Sequence, residues 1–359
     1  MEQQNRAIVH SPHRLSLSKP TSPLRQTQGS EQLQNSLRVA VIGCGAIGTR
    51  HAEAVRGSDH ATLVATCDVN LAQAQNALAG KIGTAYDDLN EMLAAESLDV
   101  VTVATPDDQH VEPVIKAVEA GCHVFCEKPM ATSLADARRM VEATTQHDRH
   151  LAIDYNRRFG FGYQKAHDLI TEGRVGDLRY AMIRVTDGIP RSAKVHKPYT
   201  ILTALLSHHI DLLRFLCGEI TSVHATFAPQ ENPGVVYDLT LAFTFDNGAV
   251  GSIISGWRNA PQRTWELTEI GGMDGMLSVE DVMLGVKLWT NPDQAETFRP
   301  SYWTGNITFY DSLRVHVQSF LARIAAGQAP LVTGHDGLRG MEIIQAAIES
   351  GERGSVVKV

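Results

Sequence analysis

The chain has 359 residues, of which 43% are hydrophobic and 20% are charged, and its formal net charge is −8. This length allows two domains with substantial cores. Acidic residues outnumber basic ones, so the composition gives no sign of a basic surface that could bind nucleic acid. No apolar run approaches the length of a membrane span. These properties exclude a nucleic-acid-binding protein and an integral membrane protein.

Residues 1–36 differ from the rest of the chain. They are rich in Gln and Ser, contain three prolines and hold few apolar residues. A segment of this composition cannot bury a core, so we predict a disordered N-terminal extension. A transit peptide and a misassigned start are the alternatives for this segment.

The cysteines predict a reducing environment. They are odd in number, and no pair has the CxxC spacing of a redox or zinc site. We therefore expect reduced thiols in a cytoplasmic protein. The five residues are Cys44, Cys67, Cys122, Cys126 and Cys217.

Short apolar runs alternate with helical patterns from residue 37 to residue 156. The predicted strands are 37–42, 61–67, 84–86, 99–105, 123–126 and 151–155, and the predicted helices are 48–57, 70–79, 88–95, 111–120 and 133–147. This alternation is typical of a doubly wound parallel sheet. Residues 37–156 are therefore predicted to form an α/β domain of the Rossmann type.

Residues 157–359 show a different pattern, with longer alternating strands. These are predicted near 178–186, 222–229, 235–246 and 249–257, with helices at 203–216, 311–326 and 336–350. Asn247-Gly248 indicates a tight hairpin between two of the strands. A second, α+β domain with a mainly antiparallel sheet follows from this pattern.

A glycine-rich loop comes directly after the first predicted strand. Gly43, Gly45 and Gly48 fit G-x-G-x-x-G at the start of a helix, where backbone amides bind a pyrophosphate. Asp68 follows Gly48 by 20 residues at the end of the next strand. An acid there binds the adenosine ribose and repels a 2′-phosphate, so the pattern favours NAD over NADP.

Several further motifs share the order and spacing of a known family. They are Ala104-Thr105-Pro106 with His110, Glu127-Lys128-Pro129, Asn156-Arg157-Arg158-Phe159, and the segment 208–218 that begins His208-His209-Ile210-Asp211. With the glycine loop and Asp68, they resemble the Gfo/Idh/MocA oxidoreductase family. The resemblance implies a second domain with an open sheet, which often forms the interface of a homo-oligomer, here a dimer or tetramer.

The resemblance also implies roles for individual residues. Lys128 lies beside the nicotinamide and holds the reacting oxygen, and His208 is the general acid/base. A cis bond before Pro129 is compatible with this placement. The cofactor contacts come from Gly43, Gly45, Ala46, Ile47, Gly48, Asp68, Thr105, Pro106, His110, Glu127 and Lys128, and the substrate contacts from Arg157, Tyr199, His208 and His209.

One position departs from the family pattern. Many family members carry an aspartate four residues before the histidine, where this chain has Ala204. The acid of an Asp–His relay is then absent or comes from elsewhere. Asp211, three residues after His208, is one candidate to orient it. A capping role or a surface ion pair is the alternative for Asp211.

The implied substrate is a sugar, sugar acid or cyclitol with a secondary alcohol. The segment 187–199 is rich in polar residues, among them Arg191, Lys194, His196 and Lys197, and is predicted to line its pocket. Three other functions stay open: an NAD-dependent glycosidase, a non-catalytic nucleotide sensor, and a metal enzyme built on His196, His208, His209 and Asp211. We expect no metal, because the family needs none.

Overall fold

The computed structural model describes residues 36–187, 198–229, 235–257, 265–301 and 308–359. Residues 37–359 form one compact unit. The predictions for the N-terminal extension lie outside the described residues, as do those for Arg191, Lys194, His196 and Lys197.

The first half of the chain forms a six-stranded parallel sheet in the order β3-β2-β1-β4-β5-β6. The strands are β1 (Leu37–Ile42), β2 (Ala61–Cys67), β3 (Thr84–Tyr86), β4 (Val100–Val103), β5 (His123–Cys126) and β6 (Leu151–Ile153). The helices between them are α1 (Ala46–Arg56), α2 (Leu71–Ala77), α3 (Leu89–Ala95), α4 (Val111–Glu119) and α5 (Leu134–Gln146).

The strand order places a crevice beside the glycine loop. The chain winds outward from β1 to β3 and then restarts at β4, which pairs with β1 on its other side. Ligands bind at such a reversal, outside the carboxyl ends of the strands. The loops after β1 and β4 meet there.

The second half forms a nine-stranded mixed sheet in the order β14-β13-β12-β11-β7-β10-β9-β8-β15. Only β7 and β10 are parallel neighbours in the described pairing. The strands are β7 (Leu178–Thr186), β8 (Ile220–Phe227), β9 (Asp238–Phe245), β10 (Val250–Gly256), β11 (Trp265–Gly272), β12 (Met276–Glu280), β13 (Gly285–Asn291), β14 (Gln294–Phe298) and β15 (Val357–Lys358). The predicted fold class, a Rossmann sheet followed by a mainly antiparallel sheet, is confirmed.

Strands β11 to β15 do not appear among the predicted elements. In β11 the buried face carries Glu266 and Thr268, which are 4% and 0% exposed. Polar residues at buried positions disrupt the apolar alternation by which a half-buried strand is recognised. The hairpin at Asn247-Gly248 is confirmed, since β9 and β10 pair across it and Gly248 has a φ of +85°.

The remaining helices connect the two sheets. They are α6 (Phe161–Thr171), α7 (Ser207–Cys217), α8 (Phe309–Ala325) and α9 (Gly334–Arg353), with a π-helical segment, Ile201–Leu206, directly before α7. Helices α8 and α9 begin with capping boxes at Thr308 and Thr333. Helix α8 packs its apolar face on the Rossmann sheet beside α1.

In the described part of the chain, no helix combines the length and apolar character needed to cross a membrane.

Candidate active site

The glycine loop joins β1 to α1 and leaves room on one side only. A Cβ atom on Gly48 would lie 1.7 Å from the carbonyl oxygen of Gly43, and Gly43 itself has a φ of +83°. A Cβ atom on Gly45 would have no heavy atom of the described residues within 4 Å. Two glycines therefore permit the close packing of the loop, and the third leaves its outer side open to a ligand.

Asp68 ends β2 beside this loop. Its carboxylate accepts hydrogen bonds from the amide of Cys44, at 2.7 Å, and from the amide of Asn70, at 2.9 Å. These bonds hold the acid at the mouth of the crevice, where a nucleotide ribose is bound in Rossmann folds. The open side of Gly45, the amides at the start of α1 and the placement of Asp68 together fit NAD.

A pair of glycine substitutions tests this fit. Gly45→Ala is expected to keep the fold, since its φ of −68° suits alanine and its Cβ meets open space, but to weaken NAD binding at least tenfold. Gly48→Ala should lower both NAD affinity and thermal stability, because the loop must move. Calorimetric titration with NAD and thermal unfolding measure the two effects. Wild-type NAD affinity in Gly45→Ala would contradict the assignment.

The loop after β4 closes the other side of the crevice. The hydroxyl of Thr105 donates to the carbonyl of Gln109 at 2.9 Å. The two ring nitrogens of the buried His110 lie 2.8 Å from the carbonyl oxygen of Pro129 and 2.9 Å from that of Thr105. His110 thus braces this loop against the segment that carries Lys128, while Pro106 is exposed at the rim.

Lys128 follows β5, and its peptide bond to Pro129 is cis. Its Nζ donates to the carbonyl oxygen of Ala204 at 2.8 Å. Ala204 belongs to the π-helical segment, whose altered hydrogen bonding is typical of functional sites. Burial lowers the pKa of Lys128 although the carboxylates of Glu127 and Asp107 oppose this. A main-chain carbonyl of the π-helical segment therefore holds the lysine.

A cavity of about 260 Å³ lies in front of Lys128. It connects the glycine loop, the ends of β4 and β5, and helix α7. Its lining residues are Ile47, Ala104, Thr105, Asp107, His110, Glu127, Lys128, Asp154, His208 and Leu313. The structure thus brings Lys128 and His208 to one cavity, together with four further residues predicted to contact the cofactor, Ile47, Thr105, His110 and Glu127.

His208 faces this cavity from the first turn of α7 and is 4% exposed. Burial lowers its pKa well below the ordinary value, and the positive charges of Lys128 and Arg157 lower it further. The imidazole is therefore neutral at neutral pH, as a proton acceptor must be. Its ring contacts Tyr155 edge-on, with 6.2 Å between the ring centroids.

Beneath the cavity lies a buried polar cluster of His51, Glu127, Asp154 and His316. Glu127 is 3.1 Å from the Nε2 atom of His51, and Asp154 is 2.8 Å from the Nδ1 atom of His316. The carboxyl groups of Glu127 and Asp154 lie close enough to shift each other's pKa. The side-chain atoms of His51, Glu127 and Asp154 that could bind a metal ion lie within 4.8 Å of one another. Hydrogen bonds account for this spacing, and we assign no metal to the cluster.

The pKa values of the two carboxyl groups are shifted in opposite directions. Burial alone would raise the pKa of Glu127, but the hydrogen bond from His51 and the charge of Lys128 hold it below its ordinary value. Burial and the negative charge of Glu127 raise the pKa of Asp154 well above its ordinary value. A proton held by this pair therefore favours Asp154 over Glu127.

Three of the residues predicted to contact substrate lie elsewhere. Arg157 is buried and pairs with Glu266 at 2.5 Å. His209 is fully buried between Glu266 and the carbonyl of Leu205, at 3.1 Å from each. The hydroxyl of Tyr199 donates to Glu352 near the end of α9. Of the four residues, His208 alone lines the cavity, and the substrate contacts of the other three stay a prediction.

Asp211 does not orient His208. It is fully buried, and its carboxylate accepts two hydrogen bonds from the guanidinium of Arg158, at 2.6 and 2.7 Å. Both the proposed orienting role and the alternative of a surface pair are therefore wrong. Asp211 faces the turn that carries Arg158, which a second acid, Asp336, also contacts at 3.1 Å.

Removal of this buried acid should destabilise the protein. Asp211→Ala leaves the buried Arg158 with Asp336 as its one remaining ion-pair partner among the described residues. We expect the free energy of unfolding to fall by about 3 kcal/mol. Glu349→Ala is the matched control, because it removes an exposed ion pair with Arg353 and should cost less than about 0.5 kcal/mol. Denaturant titration measures both. Equal losses would show that Asp211 is not a structural anchor.

A second groove of about 320 Å³ continues from the cavity past Asp107. Acidic and hydroxyl side chains line it, and Asp107 is shared with the first cavity. Its lining residues are Asp107, Asp108, Pro129, Thr132, Pro198, Thr200 and Thr203. This groove offers polar partners to a ligand larger than the first cavity can hold.

Two acids of the cleft were missed in the sequence, Asp107 and Asp154. Asp154 directly follows β6, just as Asp68 follows β2 and Glu127 follows β5. Since ligands bind at the carboxyl ends of parallel strands, this position was a usable signal. The contact of Asp154 with His316 carried no such signal, because the histidine lies in α8, far along the chain.

A parallel nucleotide-binding sheet whose cleft presents a lysine and a neutral histidine defines an NAD-binding oxidoreductase. Residues 37–155 match the oxidoreductase family with an NAD-binding Rossmann fold, and residues 163–278 match the GFO/IDH/MocA C-terminal domain. The chain belongs to the Gfo/Idh/MocA family, as its motifs indicated.

Named relatives and solved structures are similar to this chain over most of its length. The chain is 30% identical to myo-inositol 2-dehydrogenase of Thermotoga maritima over 334 residues, which cover 90% of this chain and 98% of that protein. It is 28% identical to inositol 2-dehydrogenase of Rhizobium meliloti, over 88% and 97% of the two chains. A probable dehydrogenase from Thermotoga maritima superposes with a TM-score of 0.77 at 27% identity, over 90% and 98% of the two chains. Levoglucosan dehydrogenase, with a TM-score of 0.81 at 23% identity over 90% and 99%, shares the fold.

Proposed function

We propose that the protein is an NAD-dependent dehydrogenase that oxidises a secondary alcohol on a sugar, sugar acid, cyclitol or related polyhydroxylated ring. The observation that carries this proposal is the shared cavity of Lys128 and His208 at the mouth of the glycine loop. Residues 37–156 hold the cofactor, and residues 157–359 supply the substrate pocket and the oligomer interface.

NAD, when bound, supplies the acceptor for the hydride of the alcohol carbon. Lys128 holds the reacting oxygen and stabilises the negative charge that develops on it. His208 is neutral at neutral pH and accepts the hydroxyl proton. Asp107 and His110 border the same space as Lys128 and His208.

The preference for NAD over NADP rests on Asp68. Its carboxylate is held beside the glycine loop by the amides of Cys44 and Asn70. A 2′-phosphate at the ribose would meet this negative charge. We therefore infer at least a tenfold preference for NAD in catalytic efficiency.

The substrate class is inferred from the relatives and from the second groove. Two of the relatives are named for inositol, and a structural relative is named for levoglucosan. The hydroxyls of Thr200 and Thr203 and the carboxylates of Asp107 and Asp108 can bind hydroxyl groups of a ring. Acids in this groove favour a neutral polyol over a sugar acid.

A homo-oligomer is inferred from the open face of the second sheet. This face carries exposed apolar side chains on neighbouring strands, among them Tyr180, Val250 and Ile254, around a groove of about 580 Å³. An apolar patch of this kind is covered in most soluble proteins. We also infer a cytoplasmic location, because all five cysteines are buried free thiols.

The test is a substrate panel of inositols, sugars, sugar acids and dihydrodiols, offered with NAD and then with NADP. The absorbance of the reduced nicotinamide reports turnover. We expect at least one neutral polyol to reduce NAD, and to do so faster than it reduces NADP. Cofactor that copurifies and turns over glycosides without net reduction would indicate a glycosidase instead. Tight NAD binding with no turnover of any kind would indicate a sensor.

A further inference from the structure

Position 204, in the π-helical segment before α7, is an alanine and offers no acid to the active site. Lys128 donates to the main-chain carbonyl of this residue. A dehydrogenase must nevertheless dispose of one proton in each turnover. His208 is a poor resting place for it, since burial and nearby positive charges hold its pKa well below the ordinary value. A second group in the cleft that accepts this proton returns His208 to its neutral form.

Asp154 has the geometry of such a group. It lines the same cavity as Lys128 and His208, and it is only 2% exposed. Its carboxyl group lies within 4.8 Å of that of Glu127, and its Oδ1 atom lies 2.8 Å from the Nδ1 atom of His316. Two carboxyl groups therefore meet in this buried part of the cleft.

The groups that face Asp154 come from every element packed around it. They are Cys126, Glu127 and Lys128 from β5 and the segment after it, His51 from α1, and His316 from α8. Glu127 favours a proton on Asp154, and Lys128 disfavours it. A further positive charge in the cleft therefore acts in the same direction as Lys128.

We propose that Asp154 is the proton store of this active site, which loses its proton when the cleft holds the positively charged NAD⁺ and regains one when hydride transfer neutralises the nicotinamide ring. This inference rests on the proposed dehydrogenase function. Asp154 acts through the groups that touch the substrate, so it is a positioning residue for the proton and not a catalytic contact.

The step balances in the direction of alcohol oxidation. The C–H bond breaks, and its electron pair leaves with the hydride for the nicotinamide. The O–H bond breaks, and its proton passes to His208 and then to the Asp154 carboxylate. The oxygen keeps the O–H electron pair and forms the carbonyl. The stored proton returns to solvent when NAD⁺ replaces NADH.

Proton release on cofactor binding tests this inference without turnover. Calorimetric titrations with NAD⁺ and with NADH, each in buffers of different ionisation enthalpy, count the protons exchanged. We expect NAD⁺ to release close to one proton more than NADH at neutral pH. The affinity for NAD⁺ should also rise with pH, by up to about tenfold per pH unit, between the lower pKa of Asp154 in the NAD⁺ complex and its higher pKa in the free protein. The affinity for NADH should stay level over the same range.

Asp154→Asn separates the proton store from a purely structural role. The amide mimics the protonated carboxyl group: it can donate to Glu127, and its oxygen can accept from His316. The fold and NADH binding should therefore be retained, but the extra proton released by NAD⁺ should disappear. Asp107→Asn is the matched control, since it removes another acid of the same cavity and should keep the proton release.

Three outcomes would overturn the inference. Equal proton release with NAD⁺ and NADH in the wild type would do so while leaving the dehydrogenase proposal intact. An extra proton that persists in Asp154→Asn would assign the release to another group. Failure of both cofactors to bind would remove the proposed function and this inference together.

Discussion

Replacement of Lys128 by methionine is expected to leave NAD binding intact and to lower kcat by about 100- to 1,000-fold. Methionine has a similar length, but it cannot donate a hydrogen bond or place a positive charge near the reacting oxygen. In the free protein the Nζ atom of Lys128 donates to the carbonyl of Ala204, so the lysine is already aimed across the cavity. The loss should therefore fall on kcat more than on KM.

Steady-state kinetics on the best substrate of the panel, with calorimetric NAD titration, would measure the effect. Lys116→Met is the control, because this lysine lies in helix α4, outside the lining of the cavity, and donates to Asn90. It should change neither value. Unchanged turnover in Lys128→Met would rule out the proposed role, and lost NAD binding would show that the lysine holds the cofactor instead.

The second large effect is expected for His208→Ala, which should lower kcat/KM by about 100- to 10,000-fold, as for loss of a general base. The pH profile makes this prediction specific. Since the pKa of His208 lies well below 6.5, activity should persist on the acid side of pH 6.5 and fall only when the ring becomes protonated. A base must be neutral to act, so a lowered pKa extends the active range downward.

Rate measurements across the pH range, with wild type and variant, would check this. His167→Ala is the control, since that ring stacks on Phe215 of the same helix but lies outside the lining of the cavity. Retention of the wild-type rate in His208→Ala would contradict the assignment. An acid limb at or above pH 6.5 would show that another group is the base.

The parts of the site that could be predicted are those that short segments encode. The glycine loop, Asp68 and the segment Glu127-Lys128-Pro129 each follow a strand, and their spacing is local. Lys128 and His208 are far apart in sequence, and only the resemblance to the family predicted that they lie in one cavity. The structure brings both to the same space.

The parts that could not be predicted depend on contacts between distant elements. Asp211 and Arg158 pair because a turn and a helix pack together, and no pattern in either segment indicates the partner. The Lys128–Ala204 bond involves a main-chain carbonyl, which is independent of side-chain identity. Strand β11 escaped prediction because its buried face holds polar residues whose partners, Tyr163 and His209, come from other elements.

Helix α8 has a consequence for how the protein is made. It supplies Leu313 and His316 to the cleft, and the side chain of Gln318 donates to the carbonyls of Ala54 and Gly57. Yet it is synthesised after nearly all of the second sheet. During translation the Rossmann sheet therefore emerges with one apolar surface uncovered. A fragment that ends near residue 156 lacks α8 and should aggregate, because this apolar surface stays uncovered.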